Sequence, residues 1–215
     1  MSRAELTNLE SRKRHPWDWY VEQQWVTHRL IDTIHLEDDV TYLDPCCGMG
    51  NIPAALAERG LKAFGTDIVP RTDAPLFLGQ HDWLGDQRHM LEAEGKLSII
   101  FNPPYSRQDG RLVRGLAERM IRRALEVATH KVCALLPVKW LASKGRHQLF
   151  ERDHRPTGIW ILCERPSMPP GDVIEAMGDR AFTDGKVDYM WVVWDKHFPA
   201  LPYTPTNWIA PRAGK

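Results

Sequence analysis

The chain has 215 residues, of which 43% are hydrophobic, and these values suit one domain with a sizeable core. Its 28 basic and 28 acidic side chains give a formal net charge of zero, which excludes a global field that would hold the whole protein on nucleic acid. No apolar run is long enough to span a membrane and no signal-peptide pattern opens the sequence. We therefore expect a soluble, cytoplasmic protein with no membrane partner.

The first 16 residues are basic and contain few apolar groups, and they predict a flexible N-terminal arm. Its basic cluster either contacts phosphate or is a solvated tail. Residues 17–215 are predicted to form a single domain. That domain opens with an aromatic segment that includes Trp17, Trp19, Tyr20 and Trp25 and leads into a helix. These rings either pack in the core or form one wall of a binding pocket.

Residues 40–60 predict a short strand, a glycine turn and an amphipathic helix, which is the opening unit of a nucleotide-binding α/β fold. Asp44 ends the strand, Gly48 and Gly50 allow the backbone to pass close to a ligand, and Asn51 is the expected helix cap. The third glycine of the dinucleotide fingerprint is missing. An acidic strand end favours a ligand with a cationic sulfur and no phosphate over a pyrophosphate.

The next predicted strand ends at Asp67, and an acid about 20 residues after such a turn accepts hydrogen bonds from ribose hydroxyls. The alternative is a surface acid that ends a strand by chance. A further acid, Asp82, stands beside Trp83. We expect Asp82 to accept a hydrogen bond from an adenine amino group, with Ile68 and Trp83 flanking the ring.

Residues 99–105 form an apolar strand that ends in Asn102-Pro103-Pro104-Tyr105. The prolines fix the backbone, so an amide, a carbonyl group and an aromatic ring are offered at one rigid place. This arrangement favours the binding of a planar amine, in which Asn102 and Pro103 supply acceptors and Tyr105 supplies a stacking face. The alternative is an ordinary turn after a strand.

The four cysteines lack the spacing of a zinc or redox site, and we predict no metal. The remaining chain predicts a helix at about 111–129, a buried strand at 131–137, and two further strands at 157–163 and 187–194. Several basic residues near the predicted amine site are expected to contact phosphate, although a solvated face is the alternative. They are Arg107, Arg111, Lys139, Lys144 and Arg146.

On these motifs the chain resembles class I S-adenosylmethionine-dependent amino-methyltransferases. It is most similar to DNA adenine N6-methyltransferases, especially the compact phage and prophage forms, and the resemblance runs from about residue 17 to residue 195. In that family an Asp-Pro-x-Cys-Gly-x-Gly turn binds the methyl donor and an (Asp/Asn/Ser)-Pro-Pro-(Tyr/Phe/Trp) motif holds the target amine. Here these are Asp44-Pro45-Cys46-Cys47-Gly48-Met49-Gly50 and Asn102-Pro103-Pro104-Tyr105.

The resemblance implies an α/β, Rossmann-like fold with a mostly parallel seven-stranded sheet, an antiparallel C-terminal strand and helices on both faces. It implies S-adenosylmethionine as cofactor, S-adenosylhomocysteine as product, DNA as the expected partner with RNA as the alternative, and a bacterial or phage-encoded origin. The implied catalytic residues are Asn102, Pro103, Pro104 and Tyr105. The implied cofactor-binding residues are Tyr20, Asp44, Pro45, Cys46, Gly48, Gly50, Asp67, Ile68, Asp82, Trp83 and Asn102.

The expected reaction is transfer of a methyl group to the N6 amine of adenine in DNA. Three alternatives stay open: an RNA base methyltransferase, a protein glutamine N5-methyltransferase, and a non-catalytic nucleotide-binding module. The segment 164–186 between the last two predicted strands is too short for a dedicated target-recognition domain. The sequence therefore predicts a recognition preference that is relaxed, short or supplied by a second subunit.

Overall fold

A computed structural model describes residues 14–85, 95–183, 185–199 and 201–213. Within these residues the chain forms an eight-stranded sheet and a separate two-stranded hairpin. The strands of the sheet are β1 (Val40–Asp44), β2 (Lys62–Asp67), β3 (Phe77–Gln80), β4 (Lys96–Phe101), β7 (Lys131–Pro137), β8 (Gly158–Leu162), β9 (Tyr189–Asp195) and β10 (Thr206–Ile209). The hairpin pairs β5 (Arg107–Gln108) with β6 (Arg111–Leu112).

The helices are α1 (Gln24–Ile31), α2 (Asn51–Ala57), α3 (Leu116–Val127), a single turn α4 (Lys144–His147) and α5 (Gly171–Met177). Short 3₁₀ turns cover Val138–Leu141 and Gly178–Ala181, and a π-helical turn covers Gln148–Asp153. No helix in the described part of the chain has the length and apolar character needed to cross a membrane.

The order of the strands across the sheet is β3-β2-β1-β4-β7-β9-β8-β10. Strand β9 runs antiparallel to both of its neighbours, whereas the other pairs are parallel. The predicted mostly parallel sheet is therefore confirmed, but it has eight strands instead of seven. The extra edge strand β10 lies parallel to β8, so the antiparallel strand is the penultimate one. Only Ile209 of β10 is buried, and one buried residue leaves no alternating pattern for prediction.

Alternate residues of the central strands face opposite sides of the sheet, as expected for extended chains. Leu136 and Met190 pack in a cluster with the buried stripe of α3, whereas Leu135 and Trp191 pack with α1 and α2 on the other face. The predicted helices on both faces are thereby confirmed. The apolar side chains of α3 recur every three to four residues, so one face of this helix covers the sheet.

The carboxyl ends of β1, β2 and β4 meet at one edge of the sheet, where Asp44, Asp67 and Asn102 follow each other across neighbouring strands. Strand order reverses between β1 and β4, and ligands of open α/β sheets bind in the crevice at such a reversal. Of the predicted basic arm, residues 1–13 lie outside the described residues. Arg14, which is described, forms an ion pair with Asp18 at 2.6 Å.

Candidate functional site

The loop between β1 and α2 is shaped by two glycines in the left-handed region. Gly48 has φ of +53° and Gly50 has φ of +85°. A Cβ atom on Gly48 would lie 2.9 Å from Trp19 Nε1, so an aromatic ring packs where any side chain would stand. The prediction that Asn51 caps α2 is wrong: Gly50 holds the cap position, and Asn51 Nδ2 donates to the Glu22 carbonyl at 2.6 Å.

Asp67 connects this loop to the end of β2. Its Oδ2 accepts from the backbone N–H of Gly48 at 2.8 Å, and its Oδ1 accepts from the N–H of Val69 at 3.0 Å. Asp44 makes a similar local bond, because its Oδ1 accepts from the N–H of Cys46 at 3.0 Å. Both carboxylates are thus oriented by backbone groups and have acceptor capacity left for a ligand.

A cleft of about 540 Å³ lies above these strand ends and is acidic. Glu22, Asp44 and Asp67 line it, and all three are buried. Burial removes water from the charged forms and raises the pKa of each carboxyl group, most strongly that of Asp44. We expect a bound cation to lower these pKa values, because it stabilises the charged carboxylates.

Two further groups of the cleft carry donors. Trp19 Nε1 is buried and makes no hydrogen bond with any described residue. The guanidinium of Arg71 lies 4.0 Å from the centre of the Trp19 ring. Because buried donors are nearly always paired, this indole N–H is a candidate donor to a bound ligand.

A second, mostly apolar cleft of about 390 Å³ adjoins the first. The two clefts share Trp17, Cys46, Ile68 and Pro104. The second cleft is also lined by Pro45, Asp82, Trp83, Leu116 and Met120. Asp82 is exposed at its rim, whereas Trp83 is only 2% exposed and donates from Nε1 to the Met120 carbonyl at 3.2 Å. The shape and lining suit a flat ring between apolar side chains.

The Asn102 carboxamide is hydrogen-bonded at both of its ends. Its Nδ2 donates to Glu22 Oε2 at 2.8 Å and to the Tyr20 carbonyl at 3.3 Å. The Tyr105 hydroxyl donates to Asn102 Oδ1 at 3.0 Å. The Cys46 thiol donates to the Asn102 backbone carbonyl at 3.3 Å, which joins the amide motif to the glycine loop.

The structure brings most of the predicted cofactor and catalytic residues to these two clefts. Tyr20, Asp44, Cys46, Gly48, Asp67, Ile68, Asn102 and Pro104 line the first cleft, and Pro45, Asp82 and Trp83 line the second. Gly50, Pro103 and Tyr105 line neither, although Tyr105 contacts Asn102. The sequence left Trp19 between core packing and a pocket wall, left the role of Glu22 open and did not single out Arg71. Only the density of acids and aromatic rings before β1 signalled the first two.

The predicted phosphate-binding residues have different surroundings. Arg111, Lys139 and Lys144 are exposed, and Arg107 lies at the second cleft. Arg146 is engaged within the protein: its guanidinium stacks 3.5 Å from the centre of the Trp140 ring and donates to Glu118 at 2.6 Å. Arg146 is therefore less available to a phosphate group than the exposed residues are.

Comparison with solved structures supports one fold. A proposed class I S-adenosylmethionine-dependent methyltransferase from Listeria monocytogenes aligns with a TM-score of 0.58 and 14% identity over 96% of this chain and 70% of that one. The chain has the class I methyltransferase fold. The methyltransferase subunit of a type I restriction-modification system from Streptococcus thermophilus aligns with a TM-score of 0.54 and 13% identity over 86% of this chain.

This chain spans 46% of that subunit, about half its length. The 23S rRNA methyltransferase ErmE aligns with a TM-score of 0.50 and 14% identity over 85% of this chain and 72% of that enzyme. No protein-family model and no curated protein matches the sequence. At these identities the structural alignments show the class I methyltransferase fold alone.

Proposed function

We propose that this protein transfers a methyl group from S-adenosylmethionine to the exocyclic N6 amine of adenine in DNA. The observation that carries the proposal is the Asn102 carboxamide, which is held at both ends and lines the acidic cleft beside Asp44 and Asp67. A hydrogen-bond acceptor for the target amine and a site for the cationic methyl donor would thus share one cavity. The class I methyltransferase fold supports the same reading.

The first cleft fits the charged part of the methyl donor. S-adenosylmethionine carries a sulfonium and an ammonium group, and Asp44 and Asp67 offer buried carboxylates whose raised pKa values a cation would lower. The unpaired Trp19 Nε1 and the nearby Arg71 offer N–H groups that could donate hydrogen bonds to the carboxylate of S-adenosylmethionine. Asp67 would accept from the ribose hydroxyls, as acids at this position of the fold do.

The second cleft fits the adenine ring of the methyl donor. Ile68 and Pro104 offer apolar contacts on the sides that both clefts share. Asp82, exposed at the rim, would accept from the adenine amino group. Pro45 and Trp83 complete the apolar lining. This arrangement would leave the methyl group directed toward Asn102, which lines the first cleft.

Residues of the amide motif would prepare the target amine. When bound, S-adenosylmethionine supplies an electrophilic methyl group: the bond between sulfur and the methyl carbon breaks as the amine nitrogen bonds to that carbon, S-adenosylhomocysteine leaves, and the nitrogen releases one proton to solvent. The lone pair of an exocyclic amine is delocalised into the ring, which makes the nitrogen a poor nucleophile. Asn102 Oδ1 and the Pro103 carbonyl would each accept a hydrogen bond from one of its two N–H groups and thereby favour a tetrahedral nitrogen. Acceptors already in place where positive charge develops lower the barrier without reorganisation. Orientation of the two reactants would supply a further part of the acceleration.

Exposed basic residues that follow the amine motif in the chain favour a nucleic-acid substrate, because phosphate contacts supply most non-specific affinity; they are Arg111, Lys139 and Lys144. We choose DNA over RNA because the two motifs resemble those of DNA adenine N6-methyltransferases. A target base must leave the duplex to reach such a site. The fold shared with ErmE supports an RNA base methyltransferase as the second candidate.

A labelled-product assay tests the proposal. Radiolabelled S-adenosylmethionine is offered separately to double-stranded DNA, single-stranded DNA, RNA and protein, and the products are digested to nucleosides or amino acids. We expect N6-methyladenine from DNA. Asn102→Ala should lower the rate by at least about 100-fold while donor affinity stays within about threefold, since the acceptor acts on the amine.

Each other product has a stated meaning. Label in RNA or in glutamine would overturn the assignment of DNA, and label in no substrate would support the non-catalytic module. Equal loss of donor binding and of transfer in Asn102→Ala would mean that this residue supports the fold.

A further inference from the structure

The Glu22 carboxylate is buried directly against the amide of Asn102. Its relative exposure is 6%, and its Oε2 accepts from Asn102 Nδ2 at 2.8 Å. The Tyr20 carbonyl accepts from the same nitrogen at 3.3 Å. Two oxygen acceptors therefore converge on one end of the carboxamide, from a segment that lies 80 residues earlier in the chain.

The other end of the carboxamide meets a donor. The Tyr105 hydroxyl donates to Asn102 Oδ1 at 3.0 Å. With Glu22 ionised, a carboxamide turned by 180° would place Oδ1 against Glu22 Oε2 and the Tyr20 carbonyl, so that three acceptors would face one another. The surroundings of Asn102 therefore select one of its two amide orientations.

The segment that carries Glu22 is itself anchored. The Val21 N–H donates to the Pro169 carbonyl at 3.0 Å, and the Glu22 carbonyl accepts from Asn51 Nδ2 at 2.6 Å. Asn51 is the first residue of α2, the helix that follows the glycine loop. Glu22 thus connects the helix beside the proposed donor site to the residue at the proposed amine site.

We propose that Glu22 is a positioning residue, whose carboxylate keeps Asn102 Oδ1, instead of Nδ2, directed at the target amine. The inference rests on the proposed function, because it assigns Asn102 Oδ1 as an acceptor for the amine N–H. If Nδ2 stood in the place of Oδ1, its N–H groups would face the N–H groups of the target amine, and no hydrogen bond could form between them. Glu22 lies outside both sequence motifs and acts through Asn102.

A donor–acceptor exchange tests this pair. Asn102→Asp keeps two oxygens near the amine but sets a second carboxylate against Glu22, and two adjacent carboxylates do not both ionise easily. Adding Glu22→Gln supplies a donor, so that one oxygen of the new aspartate is bound and the other is free for the amine. Glu126→Gln, at an exposed helical position, is the matched control for removal of a carboxylate.

We expect Asn102→Asp to lower kcat by about 100-fold, a loss like that of one preorganised polar group. The Glu22→Gln/Asn102→Asp pair should recover at least about 10-fold over Asn102→Asp alone, because contacting residues couple. Recovery should be partial, because the Tyr20 carbonyl would still face an oxygen of Asp in place of Asn102 Nδ2. Glu126→Gln in the same background should recover nothing. Circular dichroism and calorimetric donor affinity check the folding of every variant.

The outcome separates the inference from the proposed function. The substrate that the wild-type protein methylates decides the function, and the ratio between the pair and Asn102→Asp is measured on that substrate, whether it is DNA or RNA. Losses that multiply without recovery would overturn the positioning role and assign Glu22 to the support of the fold. A wild-type protein that methylates nothing would overturn both.

Discussion

Replacement of Asp67 by alanine tests both the binding of the methyl donor and the support of the loop that surrounds it. The carboxylate is 6% exposed and accepts the backbone N–H groups of Gly48 and Val69 at 2.8 and 3.0 Å. A carboxylate has about four acceptor positions, so roughly two remain for ribose hydroxyls. The substitution removes both sets of bonds together.

The expected magnitudes follow from these contacts. A hydrogen bond to a charged group contributes about 1.5–3 kcal/mol, so loss of one net ribose bond should weaken donor binding by about 10- to 150-fold. Each N–H left without a partner costs about 1–3 kcal/mol where it is buried, so Asp67→Ala should also lower the free energy of unfolding. Asp67→Asn retains the side-chain shape and one carbonyl acceptor, and we expect it to lie between wild type and alanine in both quantities.

Isothermal titration calorimetry with S-adenosylmethionine measures the affinity, and urea unfolding measures the stability. Asp39→Ala is the matched control, because Asp39 has a side chain that is 68% exposed and pairs with Lys96 at the opposite end of β1 and β4. This control should leave donor affinity within about twofold and stability within about 1 kcal/mol. A folded Asp67→Ala variant with unchanged affinity would refute the ribose assignment.

Three further predictions concern charge and packing. Burial raises the pKa of Asp44 and Asp67 and a bound cation favours their ionised forms, so donor affinity should rise as the pH rises through the range in which these carboxyl groups ionise. Calorimetry within that range, in buffers of different ionisation enthalpy, should detect proton release on binding, and no release would contradict the cation site. A Cβ atom on Gly65 would lie 2.6 Å from Cys47 Sγ, so Gly65→Ala should cost about 1–3 kcal/mol in urea unfolding; an unchanged midpoint would mean that the loop yields freely. Removal of either exposed lysine, Lys139→Gln or Lys144→Gln, should reduce the salt slope of DNA binding in fluorescence anisotropy by about 1, and an unchanged slope would exclude that phosphate contact.

The part of the fold that the sequence predicted best lies where local signals agree. The unit from β1 to β2 combines apolar strands, terminal acids and obligatory glycines, and its elements are found at the expected residues. The helix predicted from residue 111 instead begins at Leu116. Arg111 and Leu112 pair with β5, and Gly115 adopts φ of +72°, so the chain reverses before the helix begins. Tertiary pairing of two residues leaves no periodic signal.

The arrangement of the candidate site was less accessible to sequence reasoning, because its contacts join distant segments. Glu22 and Asn102 are 80 residues apart, and no spacing rule links them. The same applies to Asp18, whose Oδ2 accepts from the N–H groups of Ser106 and Arg107 at 2.7 and 2.8 Å. These contacts form because the segment before α1 lies across the carboxyl ends of the strands, and the sequence does not reveal that position.

Asp18 and Glu22 together give that segment a role in holding the amide motif. Glu22 binds the side chain of Asn102, and Asp18 binds the backbone immediately after Tyr105, so the motif is held before and after its two prolines. Asp18 has φ of +50°, a conformation that costs about 1–2 kcal/mol for a residue other than glycine. Its two backbone bonds and its ion pair with Arg14 offset this cost. The proposed amine site therefore depends on a segment outside the motif, and substitutions of Asp18 or Glu22 should alter methyl transfer more than donor binding.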